Sequence, residues 1–190
     1  MNNLLIVLSG PSGVGKGTIA KLLIERNKNL LLSISCTTRN PREGEVHGRE
    51  YYFITREEFK NRVLNEGFLE YSEHFENCYG TPKDFTLSGL KTNDVLLEID
   101  VNGGLNVKKN FDKALLIMIT PPSLQELENR LIKRQTESLE KIKKRMERIS
   151  YELELGKGYD YTVVNDDLIT AVNEIENIIS LEKAKRNKGE

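Results

Sequence analysis

The sequence has no tryptophan and only two cysteines and two histidines in 190 residues. Cys36 and Cys78 lie far apart, without C-x-x-C spacing or a neighbouring histidine cluster. That excludes a zinc site or a disulfide framework as the organising feature and reads as two free thiols in a reducing compartment. Long hydrophobic runs are also missing: nothing approaches the ~20 apolar residues of a spanning helix. The run 4–8 ends at Ser9-Gly10, too short for a secretory signal and without its basic start. Nor is there an excess of one charge. Lys and Arg number 28 against 29 Asp and Glu, for a formal net charge of -1, so the chain as a whole is no nucleic-acid coat and any anion site has to be local. The expected setting is the cytoplasm, with neither membrane nor nucleic acid as partner. The length suits one hydrophobic core with inserted lobes and is short for two full domains.

Apolar runs of strand length recur at 4–8, 30–34, 95–99, 115–119 and 161–164. Segments of helical spacing separate most of them, such as Ile19, Leu22 and Leu23, or Leu124, Leu127 and Leu131. Continuous apolar strands alternating with helices predict an α/β fold with a buried parallel sheet, whose ligands bind beyond the carboxyl ends of the strands. Two stretches interrupt the rhythm. Residues 37–89 are polar, with strand-like pieces near 51–54 and 67–75 and one short helix signal, Thr55 as cap before Phe59, Val63 and Leu64. They read as an inserted lobe. Residues 133–154 start basic and continue as a helix with an apolar stripe at Leu139, Ile142, Met146, Ile149 and Leu153, and read as a mobile arm. The core is then 1–36, 90–132 and 155–190 of a single domain. The tail 183–190 reads as a fraying helix end.

Between the first apolar run and the first helical segment stands Gly10-Pro11-Ser12-Gly13-Val14-Gly15-Lys16-Gly17-Thr18. Gly10, Gly15 and Lys16 match G-x-x-x-x-G-K in the context that gives the pattern meaning, a strand before and a helix after. Glycines let backbone N–H groups converge where the helix N-terminus adds partial positive charge, and Lys16 adds a full charge. Such a loop holds a nucleotide polyphosphate. Gly17 stands where Ser or Thr normally follows the Lys, so the hydroxyl toward Mg²⁺ comes from Thr18 or is replaced by water.

A second set of residues lies in the inserted lobe. Arg39 and Arg42 bracket Asn40-Pro41, and paired guanidinium forks suit a second phosphate. Glu43, Glu45 and Glu50 follow and bring the stretch close to neutrality, so a solvated charged loop fits the composition as well.

The order of seven blocks narrows this reading. Besides the glycine loop they are "SISCTTRNPREGEVHGREYYF", "FLEY", "NCYGT", "EIDVNGG", "RLIKRQTE" and "YDYTVVNDD", with Thr18 closing the first. Over nearly its whole length the chain resembles the guanylate kinases. The resemblance implies ATP on the loop Gly10, Pro11, Ser12, Gly13, Val14, Gly15, Lys16, Gly17 and Thr18, with Asn165 on the adenine side. It places Arg39, Arg42, Tyr51 and Tyr79 on the phosphate of GMP, and Ser35, Glu70, Thr81 and Asp100 around the guanine. Glu98 and Asp100, two apart on one strand face, are the implied acidic pair near Mg²⁺, with Thr18. Arg134 and Arg145 match the lid arginines, with Arg130 one turn before Arg134, and join Lys16 and Arg39 as catalytic cations. Gln135 stands where the family places Gly and is expected to stiffen the hinge. Arg148, Lys143 and Lys144 are assigned to a solvated face.

The implied reaction moves the γ-phosphoryl group of ATP to GMP, or to dGMP, with Mg²⁺. Guanine presents N1–H and an amino group side by side, which one ionised carboxylate such as Glu70 accepts together. Adenine presents an acceptor there and leaves the charge unpaired. Two rivals remain: a kinase for AMP or dTMP, opposed by Ser35 and Glu70, and a phosphopeptide-binding module of the same family, opposed by Lys16 and its glycines. A monomer or a homodimer is expected.

Overall fold

A computed structural model of the protein describes residues 3–74, 76–133 and 139–188. Its centre is a parallel sheet of β1 (Leu5–Ser9), β2 (Leu30–Ser33), β7 (Asp94–Glu98), β8 (Leu115–Thr120) and β9 (Tyr161–Val164). The order is β2-β7-β1-β8-β9, with every pairing parallel. The apolar runs anticipate these boundaries within one residue. Side chains alternate across a strand, and around β1 this splits the core in two. Leu4, Ile6 and Leu8 pack with Ile19, Ala20 and Leu23 of α1 (Lys16–Arg26) and with Ala171, Val172 and Ile175 of α7 (Leu168–Lys188). Leu5 and Val7 face Val101 and Val107 of α4 (Val101–Asn110), together with Tyr159. Helices thus cover both faces, and the chain leaves β1, β7 and β9 at the same edge.

A second sheet joins β3 (Cys36–Thr37), β4 (Tyr52–Phe53), β5 (Phe68–His74) and β6 (Asn77–Pro82) in the order β4-β3-β6-β5. Its small core sets Cys36 and Phe68 against Phe59 of α2 (Arg56–Leu64). Thr55 caps α2 as expected, its hydroxyl accepting from the Glu58 N–H while the Glu58 carboxylate takes the Thr55 N–H. Both cysteines are free thiols. The short β3 and α3 (Lys83–Gly89) escape the sequence patterns. So does α4, whose Gly103 and Gly104 disfavour helix in isolation. Beyond β8 run α5 (Leu124–Lys133) and α6 (Leu139–Gly156). Among the described residues no helix is long and apolar enough to cross a membrane.

The tail differs from its expected fraying. Lys183 donates to buried Asp94 at 2.6 Å, Lys185 pairs with Glu182, and Arg186 donates to the Asn3 and Lys113 carbonyls. The charged end of α7 is tied to the amino ends of the strands because Asp94 has no water to solvate it. Its carboxylate also accepts the Leu4 N–H at 2.9 Å. Asp94→Ala leaves that N–H and Lys183 without their acceptor and should cost about 2–3 kcal/mol. A thermal melt should then fall by roughly 5–10 °C, and an unchanged midpoint would show the anchor to be dispensable.

Candidate active site

The loop after β1 is held from beneath. Gly15 precedes α1 at φ +103°, a left-handed conformation, and a Cβ there would stand 2.5 Å from the Asn165 side-chain nitrogen. A Cβ at Gly10 would collide with the Ile119 carbonyl. The buried Asn165 donates to the Val14 carbonyl at 2.7 Å, and Val14 itself is packed into the core. No side chain caps the first turn of α1, so its amides point into the site without a protein partner of that kind. Lys16 folds back over the loop, donating to the Gly10 carbonyl at 2.6 Å and the Pro11 carbonyl at 3.3 Å. Ser12, Gly17 and Thr18 are exposed.

Three carboxylates that line the same cavity act on the ammonium of Lys16. Burial lowers its pKa, while Glu98, Glu152 and Asp100 act to raise it. Burial raises the Glu98 carboxyl, against the pull of Lys16. Each charge is thus kept by the other in a place that disfavours both. Gly17 lies against the same carboxylate, since a Cβ on it would come 3.5 Å from Glu98 Oε1. Asp100 departs from the expected strand face: β7 ends at Glu98, and Asp100 is the N-cap of α4. It accepts the Gly103 N–H at 3.1 Å and the Ser72 hydroxyl at 3.1 Å.

On the lobe side Glu70 is buried and accepts the Thr81 hydroxyl at 2.7 Å. A Cβ at Gly103 would stand 2.8 Å from Glu70 Oε2, so the glycine makes room for that carboxylate. Arg39 donates to Glu45 at 2.9 Å and to the Asn40 carbonyl at 2.7 Å, with its guanidinium 5.5 Å from the Tyr51 ring centre. The other oxygen of Glu45 takes the Arg42 N–H at 2.7 Å. These bonds, with burial opposing them, hold Glu45 below its usual pKa. Tyr51 meets Tyr79 edge to face at 6.0 Å. One cavity of about 340 Å³ joins the loop to the lobe. Gly10, Ser12, Lys16, Glu98 and Asp100 line one end; Ser35, Arg42, Tyr51, Glu70 and Tyr79 line the other. Thr81 and Arg39 stand directly behind, through Glu70 and Tyr51.

The guanylate kinase family model matches residues 2–182. The chain belongs to the guanylate kinase family. It is 52% identical over 188 residues to the guanylate kinase of Caldanaerobacter subterraneus subsp. tengcongensis, covering 97% of this chain and 91% of that one. To the guanylate kinase of Clostridium tetani it is 49% identical, over 96% and 88%. The crystal structure of guanylate kinase from Anaplasma phagocytophilum superposes with a TM-score of 0.80 at 33% identity, covering 95% of this chain and 86% of that chain.

Of the arginines expected to act from the arm, Arg134, with neighbouring Gln135, lies outside the described residues, as do the side chains of Arg130 and Arg145. Arg148 is not on a solvated face: it is half-buried and lines the cavity beside Glu152. The helical wheel misled because the base of α6 is enclosed on two sides, by the core and by the site. Sequence reasoning also passed over Ser72, Glu45 and Glu152. Only Glu45 left a trace, as an acid set back from two arginines by a Gly44 turn at φ +82°.

The fit of Gly15 against Asn165 can be measured. Gly15→Ala carries the left-handed penalty of about 1–2 kcal/mol plus the contact with Asn165. Combined with Asn165→Ala, it should cost less than the sum of the two single losses by roughly 0.5 kcal/mol or more in a urea-denaturation cycle. Strict additivity would mean that the two positions do not meet.

Proposed function

We propose that the loop end of the cavity holds the phosphates of ATP and the lobe end holds GMP, with their phosphates meeting beside Lys16. As a guanylate kinase, the chain transfers the γ-phosphoryl group of ATP to GMP, giving ADP and GDP. The observation that carries this assignment is the buried Glu70 carboxylate, held by the Thr81 hydroxyl behind it and lining the same cavity as Lys16. A carboxylate there accepts the adjacent N–H donors of guanine, and Ser35 and Asp100 border the same pocket. We place the reaction in the cytoplasm, where both nucleotides are held.

The chemistry asks for alignment and charge rather than a base, because the attacking oxygen of GMP is already ionised at neutral pH. The bond from the γ-phosphorus to the β-bridging oxygen breaks as the bond to the GMP oxygen forms. Lys16 exchanges its carbonyl partners for β- and γ-oxygens, and the open first turn of α1 supports the same phosphates. Arg39 and Arg42 orient the acceptor, and Tyr51 and Tyr79 donate their hydroxyls to it. Arg39 is fixed in advance by Glu45, so little freedom is lost when GMP arrives.

The oxygen donors Thr18, Glu98 and Asp100 suit Mg²⁺ by their hardness. Among the described residues no three metal-binding side chains converge, which fits an ion carried mainly by the nucleotide's phosphates. When bound, Mg²⁺ would supply positive charge to the phosphates of ATP. Arg134 and Arg145 of the arm, about 133–154, are assigned to the same charge as the arm closes over the inserted lobe, about 37–89, and the core.

A coupled assay of ADP formation offering GMP, AMP, dTMP and UMP should show turnover with GMP. Glu70→Gln should lower kcat/KM for GMP by about 10²-fold or more while leaving the KM for ATP close to wild type. An unchanged preference would remove Glu70 from base recognition. Glu45→Gln gives up a charge-assisted hold of about 1.5 kcal/mol on Arg39. It should raise the KM for GMP about tenfold, with kcat less affected; a KM at the wild-type value would show that Arg39 needs no such support.

A further inference from the structure

The base of α6 brings a cation into the site that none of the assignments above uses. Arg148 and Glu152 are one helical turn apart, and Arg148 Nε donates to Glu152 Oε1 at 2.8 Å. Glu152 is only 7% exposed, and both side chains face the cavity that contains Lys16, Ser12 and Glu98. The charge of Arg148 reaches Lys16 strongly enough to act against its protonation, and the charge of Glu152 acts the other way.

This part of the helix is fastened. Ile149, beside Arg148, is buried against Leu127 of α5, with Met146 and Leu153 around them. Leu153 and Leu155 reach the core beneath the sheet. The pair is therefore part of the wall of the site before any nucleotide arrives. A purely structural role accounts for it poorly, because a half-buried ion pair within one helix adds little stability. Facing the phosphate loop, the same pair has a use: a carboxylate that fixes a guanidinium in place, aimed where phosphate oxygens come.

We propose that Arg148, oriented by Glu152, is a further catalytic residue that contacts the phosphoryl group in flight between ATP and GMP. The proposal rests on the placement of ATP phosphates at Lys16. Arg148 keeps its proton throughout. As the γ-phosphorus leaves the β-bridging oxygen for the GMP oxygen, the electron pair of the broken bond stays on ADP, and Arg148 offsets charge on the equatorial oxygens. Glu152 acts through Arg148 as a positioning residue.

The test compares Arg148→Gln, Arg148→Lys, Glu152→Gln and Glu152→Asp with Lys16→Ala in the full chain, reading kcat, both KM values and the melting temperature. Arg148→Gln should lower kcat about 10²-fold or more, with the KM for GMP within about threefold of wild type. Arg148→Lys should recover part of that loss. Glu152→Gln should lower kcat about tenfold with its KM values near wild type, and Glu152→Asp should restore most of it. Should Arg148→Gln fail to fold, Arg148→Lys decides, since it keeps the charge without the fork: kcat reduced severalfold at a native melting temperature supports the assignment. A kcat within twofold of wild type for the folded Arg148 variant, with Lys16→Ala inactive, overturns it while leaving the ATP site in place. Turnover by Lys16→Ala would instead overturn the ATP placement on which it rests.

Discussion

Lys16 has to keep a full positive charge at the partly enclosed carboxyl edge of a sheet, before a phosphate is there to pair with it. Burial works against that charge, and Glu98, Glu152 and Asp100 sustain it. Much of the local architecture follows from this requirement. The Gly10 and Pro11 carbonyls receive the ammonium, and Asn165 locks the loop that carries them. The arrangement also sets a problem for the reaction. Three carboxylates around one lysine repel a polyphosphate unless further positive charge arrives with it. A divalent ion carried by ATP, together with arginines, meets that need, which is why a kinase of this kind depends on more than its loop.

The acceptor end solves the opposite problem. It contains arginines that must stay apart and aimed while no phosphate holds them. Glu45 does this with one oxygen on Arg39 and the other on the Arg42 N–H, and the Tyr51 ring lies beside the Arg39 guanidinium. Deeper in, Glu70 is sheltered by Thr81 and by the space at Gly103. Gly103 belongs to α4, on the core side, while Glu70 belongs to β5, so the pocket proposed for guanine lies where the second sheet rests on the first.

That seam explains which features could be read from the sequence. The central strands are continuous apolar runs because they are covered on both faces, and their limits follow from that pattern alone. The phosphate loop and the Thr55 cap are local motifs, complete within a few residues. By contrast, α4 opens with glycines whose purpose is spatial: Gly103 clears Glu70, and Gly104 clears the Tyr159 hydroxyl, which donates to the Val101 carbonyl. Nothing within the helix itself signals this. Lys183 and Arg186 look like solvated charge until Asp94 and the strand-end carbonyls are placed beside them. Glu45 likewise looked like a neutraliser of its arginines and is their scaffold. Arg148 was assigned to solvent because the opposite face of α6 is apolar, yet the helix base has the core on one side and the site on the other.

The place of Arg148 along α6 separates it from the arm's other cations. A helix that swings about a fixed end moves its far turns most and its base least. With Ile149 packed against Leu127, the base is the fixed end. A cation there is on hand for the first phosphate to enter. That permanent charge, proposed above to follow the phosphoryl group from ATP to GMP, offsets the repulsion of the three carboxylates throughout the transfer.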